Sequence, residues 1–249
     1  MFEMKISDVD LLKNSIPIIA EIIDEGVFRI DKDSLSLLSP DRSMIAVVDF
    51  KLSPKAMDHL KVDKEETIGV NMSNLVSVIK RLKSTDKLII RSGKTKNRLE
   101  MIIEGKGKRR FEIPLLDISV EKPPIDQLEF SGKVEVESRV LEEGIEDADI
   151  VDDSVVFEID KDTFKIWSKG DVSTAELELK KGEDGLIKLH TEEPMKARYP
   201  LEYLKKMIKA SKLSEHAVLE FGNDYPMKMT FVSPDKIHLS FILAPRVEE

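Results

Sequence analysis

The 249-residue sequence contains no cysteine, which removes disulfides, thiolate metal sites and cysteine nucleophiles together. Its four histidines, His59, His190, His216 and His238, show no ligand spacing. No serine, histidine and acid fall into a nucleophile-elbow pattern. The glycines of "EGKGKRR" (Glu104 to Arg110) precede neither the Lys-Ser/Thr pair of a phosphate loop nor a helix, so they read as a hairpin tip. The acidic "DADIVDD" (Asp147 to Asp153) reads as a charged helix end and turn rather than a carboxylate metal site. No apolar run approaches a membrane span, and the opening "MFEMKISDVD" lacks the basic start and apolar core of a secretion signal. The expectations are therefore no catalysis, no cofactor, no metal, no membrane partner and a cytoplasmic location.

What is present is a repeat. "FRIDKDSLSL" (Phe28 to Leu37) returns as "FEIDKDTFKI" (Phe157 to Ile166), 129 positions on, with five identities and Ser34 replaced by Thr163. Each copy reads as a hairpin around an Asp-Lys-Asp turn. The same offset sets Leu11–Ile16 on Val140–Ile145, Leu75 on Leu204, Lys80 on Lys209 and Lys83 on Lys212. A shared turn motif explains the first match but not the register of the others, so the chain reads as a duplicated domain. Its length is enough for two domains of ordinary size.

Each half reads as α+β, with two helices against a largely antiparallel sheet. In the first, "DVDLLKNSIPIIAEIID" and "NMSNLVSVIKRLK" are the helices; in the second, "SRVLEEGIEDAD" and "PLEYLKKMIKASK". The strands expected between and after them include "MIAVVDFKL", "DKLIIRS", "RLEMIIEG", "RRFEIPLL", "TAELELKK", "AVLEFG", "PMKMTFV" and "KIHLSFILA". Adjacent prolines in "VEKPPIDQ" mark an extended connector. The division is 1–117, a connector at 118–129, and 130–249. Pro17 lies inside the first helical stretch, where a kink or break is expected.

Charge is distributed unevenly over these helices. Residues 72–83 hold Lys80, Arg81 and Lys83 with no acid, and 201–212 hold Lys205, Lys206, Lys209 and Lys212 against Glu202. Both sum to +3 in a chain of net charge −9. Residues 10–21 sum to −1, and 138–149 to −4, with Arg139 against Glu142, Glu143, Glu146, Asp147 and Asp149. Lysines on a helix reach phosphates but read no bases, and no aromatic residue interleaves with them to stack on single strands. A weak, salt-sensitive, sequence-independent duplex contact is the expectation.

Over its full length the chain resembles the archaeal and eukaryotic DNA polymerase sliding clamp family, proliferating cell nuclear antigen. The resemblance rests on "MFEMKI", "SPDRSMIAVVDF" (Ser39 to Phe50), "IGVNMSNLVSVIKRLK" (Ile68 to Lys83), "LLDISVEKPPIDQLEFS" and the ending "LAPRVEE" (Leu243 to Glu249). It implies a ring of three subunits closed head to tail, with helices lining a hole for duplex DNA and sheets forming the outer wall. A tethered polymerase then gains effective concentration at its template. The implied partners are double-stranded DNA, DNA polymerase, a clamp loader, other replication and repair proteins carrying short peptide motifs, and further copies of the chain. Nucleoid association follows if the cell is archaeal.

Carried over by position, the DNA-facing candidates are Lys13, Lys80, Arg81, Lys83, Lys205, Lys206, Lys209 and Lys212. The implied peptide pocket uses Pro40, Met44, Ile45, Val47, Val120, Ile125, Pro226, Ala244 and Pro245, receiving one aliphatic and two aromatic anchors. At the subunit joint, Lys108–Leu116 pairs with Thr174–Lys181 of the neighbour. Arg81, Lys83, Arg109 and Arg110 there face Glu143 and Asp147, Arg81 and Lys83 being shared between the two roles. Glu142 and Glu146 stand where the family usually carries bases. A hetero-oligomeric clamp subunit, or a ring scaffold that loads poorly on DNA, is the alternative expectation.

Overall fold

A computed structural model describes every residue except Lys94, Lys96, Val120, Glu248 and Glu249. The chain clusters into two compact units, one of residues 1–44, 48–123 and 233–239, the other of residues 45–47, 124–232 and 240–249.

The first runs β1 (Phe2–Ile6), α1 (Asp10–Lys13), α2 (Ile16–Ile19), β2 (Glu25–Asp31), β3 (Ser34–Pro40), β4 (Ala46–Leu52, mostly in this unit), β5 (His59–Val62) and β6 (Glu66–Asn71). It continues with α3 (Met72–Ile79), β7 (Lys87–Ser92), β8 (Arg98–Glu104) and β9 (Lys108–Leu116). Its strands lie in the order β4-β3-β2-β6-β9-β8-β7-β1-β5. The second unit has β10 (Gly132–Glu137), α4 (Ser138–Asp149), β11 (Ser154–Ile159), β12 (Thr163–Lys169), β13 (Thr174–Lys180), β14 (Leu186–Thr191) and β15 (Met195–Pro200). Then come α5 (Leu201–Met207), β16 (His216–Phe221), and β17 (Met227–Ser233) and β18 (Ile237–Leu243), each mostly in this unit. These strands form the order β14-β10-β16-β17-β18 and a four-stranded sheet β13-β12-β11-β15.

The repeat holds down to single hydrogen bonds. Glu25 against Ser154, Ser34 against Thr163, Met72 against Leu201 and Lys108 against Ile237 open equivalent elements, each 129 residues apart. The Met72 amide donates to the Asp24 carbonyl at 2.9 Å, and the Leu201 amide to the Asp153 carbonyl at 2.9 Å. The shared "IDKD" phrase closes the same turn twice. Asp31 Oδ1 accepts from the Asp33 amide at 2.8 Å, and Asp160 Oδ1 from the amides of Asp162 and Thr163 at 2.9 and 3.1 Å. A carboxylate that mimics a backbone turn is why aspartate stands there.

The first helix breaks where proline requires it. α1 ends at Lys13 and α2 starts at Ile16, with Pro17 in its first turn, where the missing N–H has no intrahelical acceptor to lose. The buried Ser15 hydroxyl donates back to the Leu11 carbonyl at 2.7 Å in the gap. α4 has no proline and runs twelve residues unbroken. It approaches its sheet closely: a Cβ on Gly144 would lie 2.8 Å from Leu177 and 3.1 Å from Ile166.

The two cores fill unequally. In the second unit Phe157, Phe164, Tyr199 and Phe221 pack ring against ring, Phe157 and Tyr199 at 5.8 Å between centroids. The equivalent positions in the first unit are Phe28, Leu35, Val70 and Ser92. There an apolar void of about 30 Å³ remains, bordered by Phe28, Leu35, Val70 and Leu12.

Four strands lie outside the sequence expectation: β5, β6, β14 and β15. β5, β14 and β15 sit at sheet ends in the order of strands. Half their side chains face water, so their sequences "HLKV", "LIKLHT" and "MKARYP" carry no apolar run.

Candidate nucleic-acid interface

The basic segments are built alike. In α3 the Asn71 side chain caps the helix by accepting from the Asn74 amide at 3.0 Å. Met72, Leu75, Val78 and Ile79 are buried, leaving Ser73, Asn74, Ser77 and Lys80 outward. α5 buries Leu201, Leu204 and Met207 and presents Glu202, Lys205 and, one turn on, Lys209 and Lys212. The sequence reading puts all these lysines on α-helix, but the helices end earlier. After Ile79 the chain tightens, with Arg81 N donating to Val78 O at 2.9 Å and Leu82 N to Ile79 O at 3.1 Å. After Met207 it continues as a 3-10 helix, Ile208–Leu213. Lys80, Lys83, Lys209 and Lys212 therefore stand on or beyond tightened last turns, where unpaired carbonyls favour cations.

The candidates divide by what already holds them. Lys80, Arg81, Lys83 and Lys212 are exposed, and their side chains have no ion-pair partner among the described residues. Lys13 is bound to Asp10 at 2.8 Å and to Ser84 at 3.3 Å. Its hydrogen bond, then that of Ser84, keeps the Asp10 carboxyl below its ordinary value. Lys205 pairs with Asp149 at 2.7 Å, and Lys206 with Glu202 at 3.2 Å while lying 5.3 Å above the Tyr203 ring. Within the second unit, then, acidic α4 and basic α5 partly neutralise each other. Glu142 is half-buried and accepts from Ser211 Oγ at 3.0 Å, so only Glu146 of the expected opposing pair stands exposed.

Of the residues expected at a subunit joint, Arg109, Arg110 and Glu143 are engaged inside the chain. Arg109 binds Asp86 at 2.8 Å and the Arg81 carbonyl at 3.2 Å. Arg110 binds Glu100 at 2.8 Å, a carboxylate 2% exposed that also takes the Arg91 guanidinium. Glu143 lies 3.5 Å from Arg139, and Asp147 is exposed. Two strand edges remain open. Among the described residues, 108–114 of β9 pair only with β8, and β13 only with β12. Phe111 on the first edge and Ala175 and Leu177 on the second are half-buried.

Of the peptide-pocket candidates, Val120 lies outside the described residues. Along β4 burial alternates, with Ala46, Val48, Phe50 and Leu52 inside and Val47 half-exposed. Ahead of it, Asp41 folds a turn that receives the Ser43 and Met44 amides at 3.2 and 3.1 Å. Met44 takes a left-handed φ of 58° and is 70% exposed, beside Ile45 at 38%. Pro40, Ile125, Pro226, Ala244 and Pro245 are all half-buried. In the second unit the Ala244 amide donates to the Ile45 carbonyl at 2.9 Å. Tyr225, absent from the sequence candidates, anchors the Pro226 end. Its carbonyl accepts from the buried Tyr199 phenol at 2.7 Å, and its ring meets Phe130 edge-on at 6.0 Å. Burial pushes that Tyr199 phenol far above its ordinary value. Among the described residues no helix is long and apolar enough to cross a membrane.

Comparison with known proteins shows the family and the fold. The profile for "Proliferating cell nuclear antigen, N-terminal domain" matches residues 1–122, and that for its C-terminal domain matches residues 124–246. DNA polymerase sliding clamp 1 of Thermococcus kodakarensis is 35% identical over 92% of this chain and 92% of its own. The DNA polymerase sliding clamp of Pyrococcus horikoshii matches at the same identity and coverage. Among solved structures, proliferating cell nuclear antigen from Thermococcus kodakaraensis superposes with a TM-score of 0.92 at 25% identity, covering 99% of this chain and 100% of that one. The Entamoeba histolytica protein, at 22% identity, shares the fold with a TM-score of 0.90 over 99% of both chains.

Proposed function

The chain belongs to the proliferating cell nuclear antigen family, and we propose on that premise that it is a DNA polymerase sliding clamp. Three copies close into a ring around duplex DNA and tether the polymerase and other replication and repair proteins. The observation that carries this reading is the duplication itself. Two units repeat one fold at an offset of 129 residues, and each carries lysines on or just beyond the tightened end of its last helix, Lys80 and Lys83 against Lys209 and Lys212. Six such units in a ring would present equivalent cations to a near-cylindrical polyanion. Lys80, Arg81, Lys83 and Lys212, exposed and without an ion-pair partner among the described residues, support phosphate contact without base reading. Lys13, Lys205, Lys206 and Lys209 join them as secondary contacts.

Ring closure runs through the open edges of β9 and β13, with Phe111, Ala175 and Leu177 as the apolar part. Arg81, Lys83, Arg109 and Arg110 lie opposite Glu143 and Asp147. Partner peptides, a clamp loader among their owners, dock on Ile45, Val47, Ile125, Pro226, Ala244 and Pro245 of the second unit, with Pro40, Met44 and Val120 contributing. The domains are 1–117 and 130–249, joined by residues 118–129. The work is mechanical rather than catalytic and is done on the chromosome in the cytoplasm. The negative charge of α4 keeps a hetero-oligomeric subunit in view as the second reading.

Light scattering across a dilution series separates the two. A homotrimer of 28.3 kDa chains has a mass of about 85 kDa. A monomer at every concentration would contradict a self-sufficient ring.

A further inference from the structure

The terminal "LAPRVEE" has an apolar part that the proposed peptide surface uses, but its arginine has no role there. The structure supplies one. After β18, the Ala244 amide donates to the Ile45 carbonyl at 2.9 Å and the Arg246 amide to the Arg198 carbonyl at 2.7 Å. Alternate amides thus fasten an extended segment, and the second acceptor lies on β15, whose only ladder partner among the described residues is β11. The rest of that open edge is occupied locally. Lys196 donates to Asn223 Oδ1 at 2.9 Å and accepts from the Asp224 amide at 3.1 Å.

The Arg246 guanidinium reaches Asp153 Oδ1 at 2.5 Å. Asp153 sits in the turn between α4 and β11, and its carbonyl takes the first amide of α5. Its neighbours brace the same corner. Arg198 donates to Ser154 Oγ at 3.2 Å, and that hydroxyl donates to Asp152 at 3.0 Å. The Asp152 carboxyl is held below its ordinary value by the Asp153 amide first, then by Ser154 and the charges of Arg198 and Arg246.

We infer that Arg246 and Asp153 are positioning residues for partner docking: their ion pair pins residues 244–247 against the β15 edge, fixing Ala244 and Pro245 as a wall of the peptide surface. This rests on the sliding-clamp reading. A segment outside any strand that is held by one or two backbone bonds opens locally, and Val247, directly after the pin, is already 66% exposed. Peptide binding to a frayed wall must first order it. Both partners of the pair are largely exposed, with side chains at 49% and 72%. The pair is therefore worth a modest factor, about two- to five-fold in affinity.

The test uses the full-length protein and a fluorescent peptide with one aliphatic and two aromatic anchors. Arg246→Ala and Asp153→Ala should each weaken binding about two- to five-fold, leaving solution mass and Tm unchanged. The exchanged pair, Asp153→Arg with Arg246→Asp, should return affinity to within a factor of about two of the parent. A role in folding alone would lower the Tm of both single variants while leaving their peptide affinity at the parent value. Parent-like binding by Arg246→Ala, or an exchanged pair no better than the single variants, overturns the inference. Amide hydrogen exchange at residues 244–247 is read in parallel. Asp153→Ala should speed it several-fold, and unchanged exchange overturns the pin even if the parent binds no peptide. Absence of peptide binding by the parent would instead count against the sliding-clamp reading.

Discussion

Replacing Lys212 and Lys205 one at a time distinguishes a free cation from a committed one. Both lie on the basic segment of the second unit, and charge counting alone makes them equal. Lys212 is exposed with no ion-pair partner among the described residues, whereas Lys205 holds Asp149 at 2.7 Å. A phosphate must displace that carboxylate before Lys205 can serve it. With side chains 50% and 37% exposed, such a pair is worth about 0.2–1 kcal/mol. That energy corresponds to about 1.4- to 5-fold in binding. Deleting one lysine that neutralises a phosphate lowers the slope of log K against log salt by about 0.9. Lys212→Ala should therefore take close to that full step, and Lys205→Ala visibly less. Asp149→Asn, which releases Lys205, should tighten duplex binding by that same factor, about 1.4- to 5-fold. The assay is fluorescence anisotropy with a mixed-sequence duplex between about 50 and 200 mM salt. Equal weakening by the two lysine variants, together with no tightening by Asp149→Asn, would refute the division into free and committed cations.

Filling the void in the first unit should stabilise it. Val70→Ile adds a methylene to a cavity of about 30 Å³, worth about 0.7 kcal/mol at roughly 24 cal/mol per Å³, or about 2 °C in Tm; a lower Tm would mean the void cannot accept the group. Glu100→Gln leaves Arg91 and Arg110 facing a neutral amide at a site 2% exposed. Because both guanidiniums reach solvent, the loss should be about 1–3 kcal/mol in denaturant unfolding, and a parent-like midpoint would contradict it. Hydrogen bonds hold the carboxyls of Asp10, Asp152 and Asp160 below their ordinary value of 3.8. In each, the unfolded chain binds the proton more tightly, so this stabilisation is complete above that value and is lost as pH falls through the lower folded ones. Unfolding free energy should hold from pH 6 to about 4.5 and then fall towards pH 3; a flat profile would contradict those carboxylate contacts.

The duplication is legible in the sequence because its markers are local. Asp31 and Asp160 each close a turn with their own side chain, so the turn had to keep its aspartate in both copies. Pro17 announces a break by steric necessity, and a break is there. β5, β14 and β15 are not legible, since strands at sheet ends show water one face and need no apolar run. β6 carries Gly69 within it, where a Cβ would lie 2.4 Å from the Leu116 carbonyl, so a glycine that suggests a turn serves a close strand approach. The lysines were legible as basic segments, but not their division. Whether Lys205 is free depends on Asp149, 56 residues earlier in the sequence, and that contact exists only once α4 and α5 have packed. The Arg246 pin is of the same kind, joining the segment after β18 to a turn 93 residues away.

The central claim is that the protein holds DNA by encircling it. Its most direct test loads the protein with a clamp loader onto nicked circular duplex, washes at high salt, and compares retention before and after the circle is cut once. A ring that holds by topology stays on the closed circle through salt that would abolish charge contacts, and runs off the ends of the cut molecule. Equal loss from circular and linear DNA as salt rises would mean that the lysines alone hold the duplex, and the encircling account would fall.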